Sequence, residues 1–385
     1  MVIKNPGVRP DSPFLQAART KGSNRIETDI SLFLNESSAR LIAVTGTKGK
    51  SSVASAIYWV LNIIRNEELV VRNGKAFLGG NITVSPLTFL DDLTENDDVV
   101  LELSSWQLGD LRGRVKSDGS PLLKPKVAVL TAIMPDHQDY YSSMEAYVAD
   151  KRVIYQGQDS SDFIVAANDE WGRSFIAESN AQPMVYSDEM VRLVRLVPEN
   201  PLTPGAHQQQ NLQAAGLALT ALGIAPEIVY KGLSTFPGVE HRLEFFHRAN
   251  EVDFYNDSAA TIPEAAAAAI EALGTDGRLI LVCGGADKNL DFTALVQAAG
   301  RVKAIILLAG SGSEKLRTLL SNAGISYQGP FDDLDKAVSA ALKSAVPGDK
   351  VALSPGCASF GMFLNEFDRG CKWKETIKKL GIESN

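Results

Sequence analysis

The sequence predicts an α/β protein built on two mostly parallel sheets. Short β-branched runs alternate with amphipathic or alanine-rich stretches along almost all of the 385 residues, which is the pattern of βαβ units. The runs are near-continuously apolar, as strands are when helices cover both faces of a sheet. A glycine-rich turn, LIAVTGTKGKSS over residues 41–52, joins the first clear strand to the first long helix.

Residues 1–37 hold one strand end, a proline-rich turn and one helix. That is too little for an independent core, so this segment is expected to be weakly anchored and mobile relative to the rest. Strands follow at 41–45, 99–103, 126–131 and 162–167, with a helix over 52–64. The stretch GLSTFPGVEHRLEFF (232–246) breaks the rhythm with glycine, proline and clustered charge. It sets a domain boundary near 238, and a second boundary near 38 follows SLFLNESS. Beyond it, strands are expected at 252–256, 278–284, 303–310 and 350–355, with helices over 263–273 and 333–345. The division is therefore 1–37, 38–238 and 239–385.

A net charge of −8 argues against general affinity for nucleic acid or anionic membranes, though it allows a local cationic pocket. No apolar run reaches the roughly 18 residues of a membrane span, and residues 1–20 carry no signal-peptide core. Cys283, Cys357 and Cys371 form no C-x-x-C pair and point to a reducing, cytoplasmic setting.

The glycine turn departs from G-x-x-x-x-G-K-[ST], because Val44 stands where the first glycine belongs. What remains is G-x-x-G-K-S from Gly46 to Ser51. Glycines let backbone N–H groups converge on an anion, and a helix N-terminus adds its dipole. Lys50 would reach terminal phosphates, and Ser51 or Ser52 would help hold Mg²⁺. By itself the stretch also fits a βα turn with a solvated lysine.

Further motifs follow in order: GGNI (79–82), ELSSWQL (102–108), MPDHQDYY (134–141) with DKRVIY (150–155), and AHQQQNLQAA (206–215). HRLE (241–244), NDSAAT (256–261), GGADKNLDF (284–292) and SPGCASF (354–360) complete the set. Together, from Asn5 onward, they resemble the Mur ligase family in that family's order. ELSSWQL, NDSAAT and SPGCASFGMFLNEFDRG are most similar to the branch that adds D-glutamate to UDP-N-acetylmuramoyl-L-alanine in peptidoglycan synthesis.

The resemblance implies a central P-loop-type ATPase domain, a C-terminal Rossmann-like domain that binds the amino acid, and an ATP-dependent ligase acting through an acyl phosphate. Residues 1–37 resemble the last part of the family's N-terminal uridine-binding domain. Gly46, Thr47, Lys48, Gly49, Lys50, Ser51 and Ser52 would then bind the ATP phosphates, Asn211 the adenine, Arg242 a phosphate and Asp257 the ribose. Ser51, Glu102, His137 and Lys151 would surround two Mg²⁺ ions. Lys151 matches the lysine that the family carbamylates, and Lys50, Glu102, His137 and Lys151 would be the catalytic set. Asn5, Pro6, Gly7, Asn81, Ser104 and His137 would face the muramoyl substrate. Thr261, Lys288 and Ser359 would meet the D-glutamate carboxylates, with Phe360 alongside. A monomer is implied, with ATP and the two small molecules as its partners.

Plainer readings stand beside several of these roles. Glu102 also fits an ordinary strand-end carboxylate, and Lys151, flanked by Asp150 and Arg152, a salt-bridged helix lysine. Lys288 fits a charged turn residue and Ser359 an N-cap before FGMFLNEF. Ala259 replaces a common family lysine, Glu366 falls where an apolar contact is usual, and Lys48 replaces asparagine. Another Mur-type or folylpolyglutamate-type amide ligase, or an ATP-binding protein without ligase activity, are the alternative functions.

Overall fold

The computed structural model describes residues 1–22, 25–66, 74–82, 84–136, 140–186, 200 and 202–379. The chain forms two compact units, Met1–Glu199 with His207–Phe236, and Asn200–Ala206 with Pro237–Asn385.

The first unit opens with a two-residue parallel pair, β1 (Val2–Ile3) and β2 (Ile26–Glu27). Its main sheet holds β3 (Arg40–Thr45), β4 (Ala76–Gly80), β5 (Asp98–Glu102), β6 (Val127–Leu130), β7 (Phe163–Ala167) and β8 (Gln182–Tyr186). They lie in the order β4-β5-β3-β6-β7-β8, all parallel. All of β5 and β6 is buried, as the apolar runs require. Because β5 and β6 flank β3, the turns leaving these three strands share one edge of the sheet, where open α/β sheets place ligands.

Residues 1–37 correct the expectation of weak anchoring. They carry two helices, Pro13–Thr20 and Asp29–Glu36. The second opens with a capping box in which Thr28 and Ser31 exchange side-chain-to-backbone hydrogen bonds of 3.1 and 2.8 Å. Ile30, Phe33 and Leu34 are buried in one cluster with Leu101, Leu103, Leu108 and Leu111. Lys4 pairs with Asp110 at 2.9 Å, and Glu27 with Arg25 and Arg114. The segment needs no core of its own because its apolar face completes that of the sheet.

The second unit is a sheet of β9 (Glu244–Ala249), β10 (Val252–Asn256), β11 (Leu279–Cys283), β12 (Ala304–Leu308), β13 (Gln328–Phe331) and β14 (Lys350–Leu353). The order is β13-β12-β11-β14-β10-β9, with only the β9–β10 pair antiparallel. Alternate residues feed opposite layers, as the period of two dictates. Leu279, Leu281 and Cys283 pack with Ile305, Leu307 and Ala352, while Ile280 and Val282 pack with Ile306, Leu308, Val351 and Leu353.

Four strands that the sequence reading did not anticipate, β4, β8, β9 and β13, are the four outer strands of the two main sheets. Their sequences AFLGG, QPMVY, EFFHRA and QGPF carry the glycine, proline or charge that an edge tolerates and a centre does not. Among the described residues no helix is long and apolar enough to cross a membrane.

Phe33→Ala should destabilise the first unit by about 3–5 kcal/mol, read as an earlier urea midpoint. Phe14→Ala, at a side chain 84% exposed, should shift the unfolding free energy by less than about 0.5 kcal/mol.

Candidate active site

In the first unit the site is built on the turn after β3. Gly46 and Gly49 have φ of 146° and 91°. A β-carbon at Gly46 would lie 1.9 Å from Thr131 Oγ1, and one at Gly49 would lie 2.2 Å from Asn211 Oδ1. Both positions therefore exclude side chains by conformation and by space. The amides of Thr47 and Lys48 donate to the Ala132 carbonyl at 2.7 and 3.4 Å, and Thr131 Oγ1 donates to the Lys48 carbonyl at 2.6 Å. The loop is thus strapped to the segment after β6. The helix Lys50–Asn66 starts inside the turn, so its first-turn amides have no partner within the helix and, with the dipole, favour an anion. Lys50 Nζ donates to the Thr47 carbonyl at 3.0 Å, folding back over the loop. Ser52 is buried and Ser51 half-buried.

Glu102 closes β5, beside Val44 of β3, and is 1% exposed. One carboxylate oxygen accepts from Asn81 Nδ2 at 2.9 Å. The other is buried and, among the described residues, has no hydrogen-bond partner. A buried carboxylate oxygen left bare is costly, and a hard divalent cation is the partner that suits it. The donor set fits Mg²⁺.

Lys151 is 1% exposed. Its amine donates to the Gly46 carbonyl at 2.7 Å and lies 4.5 Å from the Tyr147 ring centroid. The Tyr147 hydroxyl in turn bonds Thr47 Oγ1 at 2.9 Å. Burial first, and the nearby Lys50 charge second, push the amine's pKa down to about 7. Its sequence neighbours are engaged elsewhere, Asp150 by Arg112 and Tyr141, and Arg152 by Glu178. The salt-bridged reading of Lys151 therefore does not hold.

Other expected residues vary in how their side chains are used. Asn211 Nδ2 donates to Gln208 Oε1 at 3.1 Å, with its oxygen facing Gly49. Ser104 is the N-cap of the helix Ser105–Leu111, in a capping box with Gln107. Asn5 Oδ1 accepts from the Gly7 amide at 2.9 Å, Pro6 is half-buried, and the Gly7 backbone passes close to the Trp106 ring. His137 lies outside the described residues.

The second unit presents the remaining residues. Arg242 is exposed on a turn whose neighbours His241 and Leu243 have φ of 64° and 50°, a strained conformation for non-glycine residues. Asn256 Nδ2 bonds the His241 ring at 2.8 Å, and Asp257 accepts from the Leu243 amide at 3.0 Å and from Ser354 Oγ at 2.7 Å. Burial raises the Asp257 pKa to about 7. Thr261 is half-buried, and the Gly356 amide donates to the Ala260 carbonyl at 2.9 Å. Ala286 and Ala358 exchange backbone hydrogen bonds of 3.0 and 3.1 Å, which brings the exposed Lys288 to 5.5 Å from the Phe360 ring. Ser359 is buried but caps no helix, because the next one is Glu366–Lys379. Residues 360–365 are turns and bends and not helix, a correction to the N-cap reading.

Sequence reasoning missed Thr131 and Tyr147. Tyr147 stands four residues before Lys151 on the helix Met144–Lys151, a spacing that puts both on one face.

Two family models match the chain, "Mur ligase middle domain" over residues 44–190 and "Mur ligase, glutamate ligase domain" over 241–357. The UDP-N-acetylmuramoylalanine--D-glutamate ligase of Treponema pallidum is 36% identical, covering 98% of this chain and 85% of that protein. The enzyme of the same name from Roseiflexus is 36% identical, covering 99% and 84%. In fold, the MurF ligase of Thermotoga maritima in complex with ADP superposes with a TM-score of 0.63 at 17% identity, covering 95% of this chain and 91% of that one. With identity at this level sustained across almost the whole sequence, the chain belongs to the Mur ligase family.

Proposed function

We propose that this protein is an ATP-dependent ligase that joins D-glutamate to UDP-N-acetylmuramoyl-L-alanine in peptidoglycan synthesis. The observation that carries the reading is the alignment of relatives so named with 98% or more of this chain. The geometry of the first unit supports it, because the turn from Gly46 to Ser52, with Lys50 over it, is shaped for a polyphosphate.

In this reading the loop amides and Lys50 hold the ATP phosphates while the γ-phosphoryl group passes to the substrate carboxylate. The amine of D-glutamate attacks the acyl phosphate, the C–N bond forms and phosphate leaves. Glu102, Ser51, His137 and a modified Lys151 would hold Mg²⁺, which neutralises the crowded oxyanions when bound. Burial favours the neutral amine that the proposed Lys151 modification requires. The neutral amine attacks the carbon of CO₂, one C=O pair moves to oxygen, and nitrogen releases a proton to water, leaving an anionic carbamate. Asn81 orients Glu102, and Thr47 and Tyr147 orient Lys151. Asn211 would meet the adenine, Asp257 the ribose and Arg242 a phosphate. Asn5, Pro6, Gly7 and Ser104 would face the muramoyl substrate. Thr261, Lys288 and Ser359 would take the D-glutamate carboxylates, with Phe360 beside them. The reading carries with it a cytoplasmic monomer.

Amino-acid-dependent phosphate release from ATP, with UDP-N-acetylmuramoyl-L-alanine as acceptor, tests the assignment. D-glutamate should be preferred over other amino acids, and a strong preference for any other would sink the reading. Lys50→Ala should cut the rate by about 100-fold or more while leaving the melting curve unchanged. Lys151 predicts a pH dependence. With its pKa near 7, the neutral fraction should fall from about nine-tenths at pH 8 to about one-tenth at pH 6. A carbamate signal in ¹³C-bicarbonate NMR should weaken in parallel, and Lys151→Gln should abolish it at both pH values.

A further inference from the structure

Arg369 is one of the largest fully buried side chains of the second unit, 1% exposed, and the mechanism above does not use it. It lies in the helix Glu366–Lys379. Among the described residues its guanidinium makes three hydrogen bonds and no ion pair. Nε donates to Ser258 Oγ at 3.0 Å, one terminal nitrogen to the Ser258 carbonyl at 2.9 Å, and the other to the Cys357 carbonyl at 3.1 Å. Ser258 Oγ in turn donates a hydrogen bond to the Glu366 carbonyl at 2.6 Å.

The two segments it grips are the turns that leave the adjacent strands β10 and β14, paired through Asn256 and Leu353. One turn carries Asp257 and Thr261, and the other carries Ser359 and Phe360. A buried guanidinium without a carboxylate is an expensive way to join two loops, and burial lowers even its pKa, to about 10. A neutral amide side chain could supply at most two N–H donors, both from one nitrogen. It could not supply a planar fork that fixes two backbones at one angle, together with a positive charge behind loops meant for an anionic ligand.

We infer that Arg369 is a positioning residue that sets the 257–261 and 354–360 loops in the register that binds the dicarboxylate amino acid. This rests on the D-glutamate reading proposed above. Arg369 acts through the loops, since each of its three nitrogens already donates to Ser258 or Cys357.

Steady-state kinetics on the full chain tests this. In Arg369→Gln the KM for D-glutamate should rise about tenfold or more, while kcat falls by less than about threefold. Arg369→Lys, which keeps the charge and loses the fork, should lie between Arg369→Gln and the parent. Arg248→Gln, which removes an exposed arginine paired with Asp253, should leave KM within about twofold of the parent. A folded Arg369→Gln whose KM stays within about twofold, or whose only change is in kcat or Tm, overturns the inference. Hydrogen–deuterium exchange on the parent needs no variant. Saturating D-glutamate should slow exchange in 257–261, 354–360 and the first turns of 366–379 together, and protection of the loops without the helix overturns the inference. A parent with no D-glutamate-dependent turnover overturns the ligase reading, and takes the inference with it only if exchange also fails to respond to D-glutamate.

Discussion

At Gly46 the backbone runs so close to Thr131 that even a methyl group could not be placed between them. The rest of the phosphate end depends on this approach. It lets the Thr47 and Lys48 amides reach the Ala132 carbonyl, and it turns the Gly46 carbonyl toward the amine of Lys151. That bond brings a buried nitrogen next to the turn that also carries Lys50, and the two cations repel. Burial of the amine lowers the pKa of Lys151 first, and the Lys50 charge carried by the same turn lowers it further. Tyr147 completes the arrangement by touching both the loop and the amine.

The second unit solves a similar problem with side chains where the first uses close backbone approach. The turn presenting Arg242 has two non-glycine residues in a left-handed conformation, which costs about 1 kcal/mol or more at each. Asn256 and Asp257 hold that turn from the end of β10, and burial raises the carboxyl pKa of Asp257. Of the two polar groups that shape the turn, Asp257 is thus itself proposed to bind ligand and Asn256 is its neighbour in sequence.

Much of this was legible in the sequence, for definite reasons. The central strands and the helix Pro263–Leu273 are apolar or alanine-rich because they are covered by neighbours, and that composition can be read without a structure. The outer strands were not legible because an edge has one pairing partner fewer and tolerates the Gly-Pro of β13 or the proline of β8. The site divides in the same way. Gly46, Lys50, Glu102 and Lys288 stand in local patterns that advertise chemistry. Thr131 against Gly46, Asn81 on Glu102 and Arg369 across two loops are contacts between segments far apart in the chain, set by strand order, and no local pattern encodes them. Residues 26–36 misled for a related reason: a short amphipathic stretch says nothing about which core it will complete.

The asymmetry of Glu102 bears on the metal role proposed for it. Asn81 occupies one carboxylate oxygen and leaves only the other bare, so this side chain is prepared to act as a single-point ligand. Calcium gains much of its affinity from carboxylates that wrap it with both oxygens. Magnesium makes do with one oxygen from each of one or two carboxylates and fills its octahedron with water and substrate phosphate. If Glu102 holds the metal as proposed, an amide on the turn after an edge strand would favour the smaller ion.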